Sequence, residues 1–480
     1  MILKGYLFSF LYVLLCIFLA IIAYKLGSPK NYTRKIVHIL VGFEWFILYH
    51  FLSSGIHTLI ICIIFTLLLL ASYLLKLLPM MSSNEENDPG TVYYGIAMTV
   101  MAIISYFVPE YMYAFGIGVF CTSIGDGFAG VFGALAKKYN RKIYNNKTIV
   151  GTACGFIFSF LSVVLFSEMF SLKISILYAV AIALVSAGVE LISRFGLDNI
   201  FIPITTSLLA YMVMTDTEVV LPYIVPIVLT PYVIAVVLSK KLLTVKGVLV
   251  AVLMDVIVSL ALHNFGFVYL LSFLVLSVVV DKIKKRIKKS RDEITRKGEH
   301  RDEFQVLANG LFPAVMAILY FCTKEYVFVI AYCAALAEAF SDSCASGFGM
   351  LSNNTYDVLT FKKTQTGLSG GVSLTGTFAS VAAAFLFPCI AALFGVIEIV
   401  ELPLIGLSAF AGNVFDSVIG ALVQVKYKCS ECGIVTEREY HCEKKTMLFK
   451  GVRFVNNDVV NFSSTVVASV FSVMLYIILF

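Results

Sequence analysis

Two carboxylates in this chain stand in the same local pattern. Asp126-Gly-Phe-Ala129 is followed by Gly133, Lys147 and Gly151, and Asp342-Ser-Cys-Ala345 by Gly349, Lys363 and Gly367. Both copies fit D-x2-A-x3-G-x13-K-x3-G. Glycine lets backbone N–H groups approach a ligand, a helix N-terminus favours negative charge, and lysine supplies a compact cation. That combination suits phosphate, and carboxylates nearby suit Mg2+, which binds through one or two acids plus phosphate oxygens. Asp126 and Asp342 are therefore expected as Mg2+ ligands or as bases for the attacking oxygen, with Lys147 and Lys363 on nucleotide phosphates. Glu190, Asp198, Asp416 and Asp458 are further Mg2+ candidates, and Glu44 and Asp255 rank below them.

The flanking residues extend the expectation. Gly125, Gly127, Gly130, Gly133 and Gly151 in the first copy, and Ser346, Gly349, Gly367, Gly370, Gly371 and Ser373 in the second, are candidate nucleotide contacts. For the glycines, close helix packing is the competing reading. Arg34-x3-His38-x3-Gly42 and Arg301-x3-Gln305-x3-Asn309 each place three residues on one helical stripe, which should face protein or a cavity. No Walker A motif and no protein-kinase signature is present. Cys429-x2-Cys432 followed by His441-Cys442 has the make-up of a structural Zn2+ site.

These residues must be positioned by membrane helices. Of 480 residues, 60% are hydrophobic and 14% charged, against roughly 25% charged in soluble proteins. At ~20 residues per crossing, roughly sixteen spans fit and no large soluble domain does. Apolar runs place them near 5–24, 36–53, 56–79, 91–108, 111–136, 148–167, 174–192, 200–215, 219–239, 247–262, 265–280, 304–322, 326–349, 368–396, 402–425 and 459–480. The fold expected is all-α, in two related parallel halves, 1–218 and 219–480, the second carrying the Cys/His loop at 426–458.

Alternating the spans gathers nearly every Lys and Arg on one side, in loops that include 25–35, 137–147, 281–303 and 426–458. The positive-inside rule makes that side cytoplasmic and both termini external, which places the catalytic loops in the cytoplasm of a plasma-membrane protein. The net charge of +6 reflects these loops and implies no nucleic-acid partner. The basic run at 281–296 reads as a helix extension touching anionic lipid. For Asp126 to meet a nucleotide, its helix must break or open near Gly125 and Gly127.

At this point the motifs resemble known families. Arg34-Lys35-Ile-Val-His38, Pro89-Gly90-Thr91, Gly125-Asp126-Gly127, Lys147, Glu190 and Gly196-Leu-Asp198-Asn199 resemble the phytol kinase and dolichol kinase group over about 30–215. Arg301 to Gly310, Asp342 to Gly349, Gly367 to Gly376, Asp416 to Gln424 and Asn456 to Asn461 resemble the membrane family that includes plant phytyl-phosphate kinase, over about 240–470. The chain departs from that pattern at Ser343, Cys344 and Gly347, where Thr, Trp and Glu stand in the family, so one acid is missing. The resemblance implies CTP-dependent phosphorylation of an isoprenoid alcohol to its monophosphate by the first half and to its diphosphate by the second, with Asn199 also at the first site. A CTP-dependent cytidylyltransferase and a transporter built from a repeat are the alternative readings.

Overall fold

The computed structural model describes residues 2–52, 55–77, 89–136, 141–287 and 300–480. The expected spans and loops at 78–88, 137–140 and 288–299 lie outside them. Two compact units emerge, Met1–Ser239 and Lys240–Phe480.

The first unit runs α1 (Ile2–Lys25), α2 (Lys30–Val41), α3 (Glu44–Phe51), α4 (Gly55–Leu75), α5 (Gly90–Phe107), α6 (Tyr111–Phe120), a π-helical turn (Cys121–Asp126) and α7 (Gly127–Leu135). A short hairpin of β1 (Lys142–Tyr144) and β2 (Lys147–Thr148) leads to α8 (Ile149–Phe170), α9 (Ile176–Ile192), α10 (Asp198–Thr215), α11 (Thr217–Val220) and α12 (Ile224–Ser239). Its core closes around Trp45, fully buried, whose indole N–H donates to the Met112 carbonyl at 3.2 Å. The boundary falls later than the expected 218/219, because α12 packs on α9: Tyr232 donates to the Leu184 carbonyl at 2.8 Å, and Pro231 lies against Gly188.

The second unit begins with α13 (Val245–Ile287). A straight helix would separate its ends by roughly 60 Å, yet Arg301 touches both. The Arg301 carbonyl accepts from Thr244 N–H at 3.0 Å, and its guanidinium reaches Asp281 at 2.8 Å. The helix therefore folds back at His263 (φ 57°, ψ −147°), between the expected spans 247–262 and 265–280. Then come α14 (Glu303–Thr323), α15 (Val327–Gly349), β3 (Tyr356–Asp357) paired with β4 (Gly371–Val372), α16 (Leu374–Leu386), α17 (Cys389–Leu393) and α18 (Leu402–Leu422). Strands β5 (Lys426–Lys428), β6 (Val435–Thr436), β7 (Tyr440–His441), β8 (Lys444–Lys445) and β9 (Met447–Lys450) precede α19 (Asn457–Leu479). Tyr269, Tyr332 and Phe387 fill this unit's core.

Among the described residues, 12 helical segments are long and apolar enough to cross a membrane, fewer than the sixteen expected. The difference has local causes. The run at 36–53 breaks into α2 and α3, α9 has only 17 residues, α10 opens on Asp198 and Asn199 and is not among the twelve, and the two arms of α13, which meet at His263 between two expected spans, count as one.

The repeat is visible as packing. A Cβ built on Gly133 would lie 3.2 Å from Thr148 Oγ1 and 3.3 Å from the Gly151 Cα; on Gly349, 3.4 Å from Ser373 Oγ and 3.6 Å from the Gly376 Cα. Thr148 caps α8 by accepting from Gly151 N–H, and Ser373 caps α16 by accepting from Gly376 N–H, both at 3.2 Å. Thr148 and Gly151 thus correspond to Ser373 and Gly376. The connection from Gly133 to Thr148 has 14 intervening residues and that from Gly349 to Ser373 has 23. Lys363 and Gly367, matched to Lys147 and Gly151 by spacing, are therefore not their structural counterparts.

Candidate functional site

In the first unit, α2 lies against the π turn and α7. Lys35 spans the gap: its Nζ is 2.6 Å from Asp126 Oδ2 and 3.1 Å from the Asp126 carbonyl. His38 Nε2 sits 3.0 Å from the Thr122 carbonyl and 3.3 Å from Asp126 Oδ2. Both neighbours are acceptors, so that nitrogen carries the proton. The helix does not break near Gly125: it runs on from α6 to α7 through the π turn that ends at Asp126, a device that recurs at functional sites. Asp126 is only 4% exposed.

Lys147, on β2, reaches Glu190 at 2.6 Å and Asp198 at 3.2 Å. Burial works against its charge, but Glu190 and Asp198, with Asp126 farther off, hold the ammonium above its ordinary range. Asn199 donates to Asp198 Oδ1 at 3.1 Å. The expected Mg2+ acids of this unit are thus drawn to lysines. Glu190 Oε2 has no hydrogen-bond partner among the described residues, which leaves one buried lone-pair site that a cation would fit.

A cavity of about 290 Å³ opens beside Asp126 and Asp198, with Lys147 and Glu190 outside its lining. Arg34, Lys35, His38, Glu44, Asp126, Asp198 and Asn199 supply much of its polar lining, and Phe10, Leu14, Leu48, Phe65, Leu69 and Met98 much of the rest. None of Gly125, Gly127, Gly130, Gly133 and Gly151 lines it. They serve close packing instead: a Cβ would meet Ser159 Oγ at 2.1 Å on Gly125, Ile39 at 2.5 Å on Gly127, and Lys35 Cε at 2.5 Å on Gly130.

The second unit holds a larger cavity, about 860 Å³. Asp342, Asp416 and Asp458 line it, with Gln305, Ser346, Gly349, Gly367, Gly370, Gly371 and Ser373. The N-termini of α14, α16 and α19 all open onto it through Asp302, Ser373 and Asn456, each of which caps its helix. Three positive helix ends beside several acids fit a phosphate group carried with a cation. Gly367 (φ 97°) and Gly370 (φ 79°) hold left-handed backbone, and a Cβ on Gly370 would lie 2.4 Å from that of Ala421.

Three expected residues fall elsewhere. Lys363 is exposed and does not line the cavity, because the longer connection carries it onto the β3–β4 turn, where it bridges Tyr356. Arg301 is taken up by Asp281 and the ends of α13, and Asn309 Nδ2 donates to the Gln305 carbonyl at 3.1 Å without reaching the cavity. Gly347 is no gap in the lining: a Cβ there would lie 2.4 Å from Val280 Cγ1, against α13.

Residues 228–469, the stretch that builds this second cavity, match the family model described as integral membrane protein DUF92. The chain belongs to that family. An uncharacterised membrane protein of Methanocaldococcus jannaschii is 33% identical over 45% of the chain and 79% of its own length. The phytol kinase of Synechocystis is 31% identical over 38% of the chain and 80% of its own. Protein VTE6, chloroplastic, of Arabidopsis thaliana is 22% identical over 48% of the chain and 65% of its own. No solved structure matches.

This DUF92 chain also assembles its Cys/His set. The ligand atoms of Cys429, Cys432, His441 and Cys442 all lie within 4.8 Å of one another, the one such group among the described residues. The backbone N–H of Cys432 lowers the Cys429 thiol to about 6, while hydrogen bonding with Cys432 pushes Cys442 up to about 11.

Sequence reasoning missed Lys35 as the partner of Asp126, although it is adjacent to Arg34 in the stripe. It also missed Asp302, Asn413, Glu437 and Asn456 in the second lining, and buried Glu338, one helical turn before Asp342 on α15. Glu338 was findable as an acid within an apolar span. Asp302 was findable as a helix cap aligned with Lys35.

Proposed function

We propose that the chain makes an isoprenoid diphosphate in two steps, phosphorylating an isoprenoid alcohol in the first unit and the resulting monophosphate in the second, with CTP as donor. The observation that carries this reading is the first cavity: apolar along most of its lining and polar around Asp126, Lys35 and His38. A prenyl chain fits the apolar part and its hydroxyl the polar end. The Synechocystis relative is named a phytol kinase, which supports a membrane lipid-alcohol kinase.

In the first step the alcohol oxygen attacks the γ-phosphorus, the bond to the β-phosphate oxygen breaks, CDP leaves, and Asp126 takes the hydroxyl proton. Lys35 and the His38 N–H fix the Asp126 carboxylate so that its free lone pairs face the alcohol. Phosphoryl transfer needs positioning and charge neutralisation above all. Glu190 and Asp198 in one unit, and Asp342, Asp416 and Asp458 in the other, would hold Mg2+, which would supply that neutralisation when bound with nucleotide.

The second unit differs where its acceptor would differ. Asp302 stands at the position of Lys35 in the aligned stripes and lines the cavity with Asp342. A hydroxyl acceptor suits a single acid steadied by lysine; a phosphate acceptor accompanied by a metal ion suits a ring of acids facing helix N-termini. The positive-inside rule, applied to the lysine-rich loops, supports nucleotide binding on the cytoplasmic side of a plasma-membrane protein.

The test is purified protein in nanodiscs with labelled CTP, Mg2+ and a panel of isoprenoid alcohols. Asp126→Asn blocks the first step and Asp342→Asn only the second. A CMP-lipid product with release of diphosphate overturns the kinase reading for a cytidylyltransferase, and solute uptake without nucleotide turnover overturns it for a transporter.

A further inference from the structure

The Cys/His module is fastened to the glycine loop of the second cavity. Glu437, which follows β6 and lines the cavity, accepts from the Ser369 backbone N–H at 3.2 Å and from the Ser369 hydroxyl. Lys426, which opens β5, donates to the Ser369 carbonyl at 2.7 Å. Both side chains are buried, so the contacts are not surface accidents. One residue, Ser369, is thus held at its N–H, hydroxyl and carbonyl between the two left-handed glycines, Gly367 and Gly370. At the other edge of the module, Lys450 donates to the Ala421 carbonyl at 2.8 Å, binding β9 to the end of α18, the helix that carries Asp416.

Strands β5 and β6 are only 3 and 2 residues long and β7 and β8 only 2 each, too short to hold register by backbone pairing alone. Cys429 and Cys432 sit in the β5–β6 turn, and His441 and Cys442 at the β7–β8 turn. Whatever joins these turns fixes where Glu437, between them, is presented.

We propose that Cys429, Cys432, His441 and Cys442 bind one Zn2+, and that this metal orders the Gly367–Gly371 loop through Glu437 and Lys426. Three thiolates and an imidazole form a closed tetrahedral set suited to Zn2+ and leave no open position for catalysis. Glu437 and Lys426 are then positioning residues for the cavity. The metal and the loop order stand whatever reaction the cavity runs; only the kinetic readout rests on the kinase reading.

The experiment uses the full chain in nanodiscs. Elemental analysis is expected to find about one zinc per chain, and cobalt loading to give the intense visible absorption of a tetrahedral thiolate site, lost in Cys432→Ser. Hydrogen exchange of the 367–371 amides is expected to rise on chelation and, with zinc retained, in Glu437→Ala. Glu437→Gln, which still accepts a hydrogen bond, restores protection. In kinetics, Glu437→Ala raises KM about tenfold or more with a smaller change in kcat, the pattern of lost binding geometry. Protein that carries no zinc and gives no tetrahedral cobalt spectrum overturns the metal site. Unchanged exchange at 367–371 in both chelated protein and Glu437→Ala overturns the coupling, even if every kinetic measurement fails.

Discussion

Gly130→Ala tests the Lys35–Asp126 contact without touching either residue, because the added methyl displaces only the lysine. The added Cβ would stand 2.5 Å from Lys35 Cε and 3.2 Å from Nζ. The obstructing atoms are the far end of a flexible side chain, so relief comes from swinging the ammonium away and leaves the α2–α7 contact in place. The ion pair it leaves is short, 2.6 Å, and largely buried, at 17% and 4% exposure. A hydrogen bond between charged groups in such a place is worth about 1.5–3 kcal/mol, or roughly 10–150-fold in rate. The first-step kcat/KM should fall by that factor. Stability should fall by less, about 0.5–2.5 kcal/mol, since the lost ion pair is offset in part by the roughly 0.5–1 kcal/mol by which alanine is favoured over glycine in a helix interior. Gly118→Ala is the contrast: its Cβ meets the Pro203 carbonyl oxygen at 2.4 Å, backbone that cannot step aside, so it should destabilise by about 1–3 kcal/mol. Rates are read in nanodiscs with saturating CTP, and stability from thermal midpoints of the same preparations. Wild-type first-step kinetics in Gly130→Ala would refute the role given to the Lys35–Asp126 contact.

Three further outcomes follow from the same geometry. Lys147→Met leaves Glu190 and Asp198 without their shared cation and should destabilise the first unit by about 3–5 kcal/mol, partly restored by adding Glu190→Gln; an unchanged thermal midpoint would show the network to be dispensable. Asp302→Asn keeps the cap on α14, because asparagine caps as well as aspartate, so stability should stay within about 0.5 kcal/mol while the second step slows at least about tenfold; an unaffected second step removes Asp302 from the site. Lys363→Ala should change the second step by no more than about twofold, as expected of an exposed side chain, and abolished activity would reinstate the register that spacing alone suggests.

What the sequence reveals depends on whether a residue's neighbours are local. Asp126, Ala129 and Gly133 recur as Asp342, Ala345 and Gly349 because they sit on one helix, where spacing is geometry, and both acids do line cavities. The membrane class was equally plain from composition, and so was the gathering of Cys429, Cys432, His441 and Cys442, whose spacing needs only two tight turns. Lys35 against Asp126 was hidden, since the contact joins residues 91 apart through the packing of α2 on α7.

The lysine of the second copy failed for a different reason. A connection may lengthen without disturbing the helices at its ends, and here it carries 23 residues where the first copy has 14. In a chain with 32 glycines and 36 Lys and Arg, a K-x3-G can then reappear at the old spacing on residues that have moved to the surface. The side chains that cap α8 and α16, Thr148 and Ser373, keep the true register, because a cap is fixed to its helix and a loop lysine is not. Lys147 then corresponds to Val372, so the second cavity was built without a loop lysine at that place, and the only lysine among its lining residues, Lys284, comes from α13.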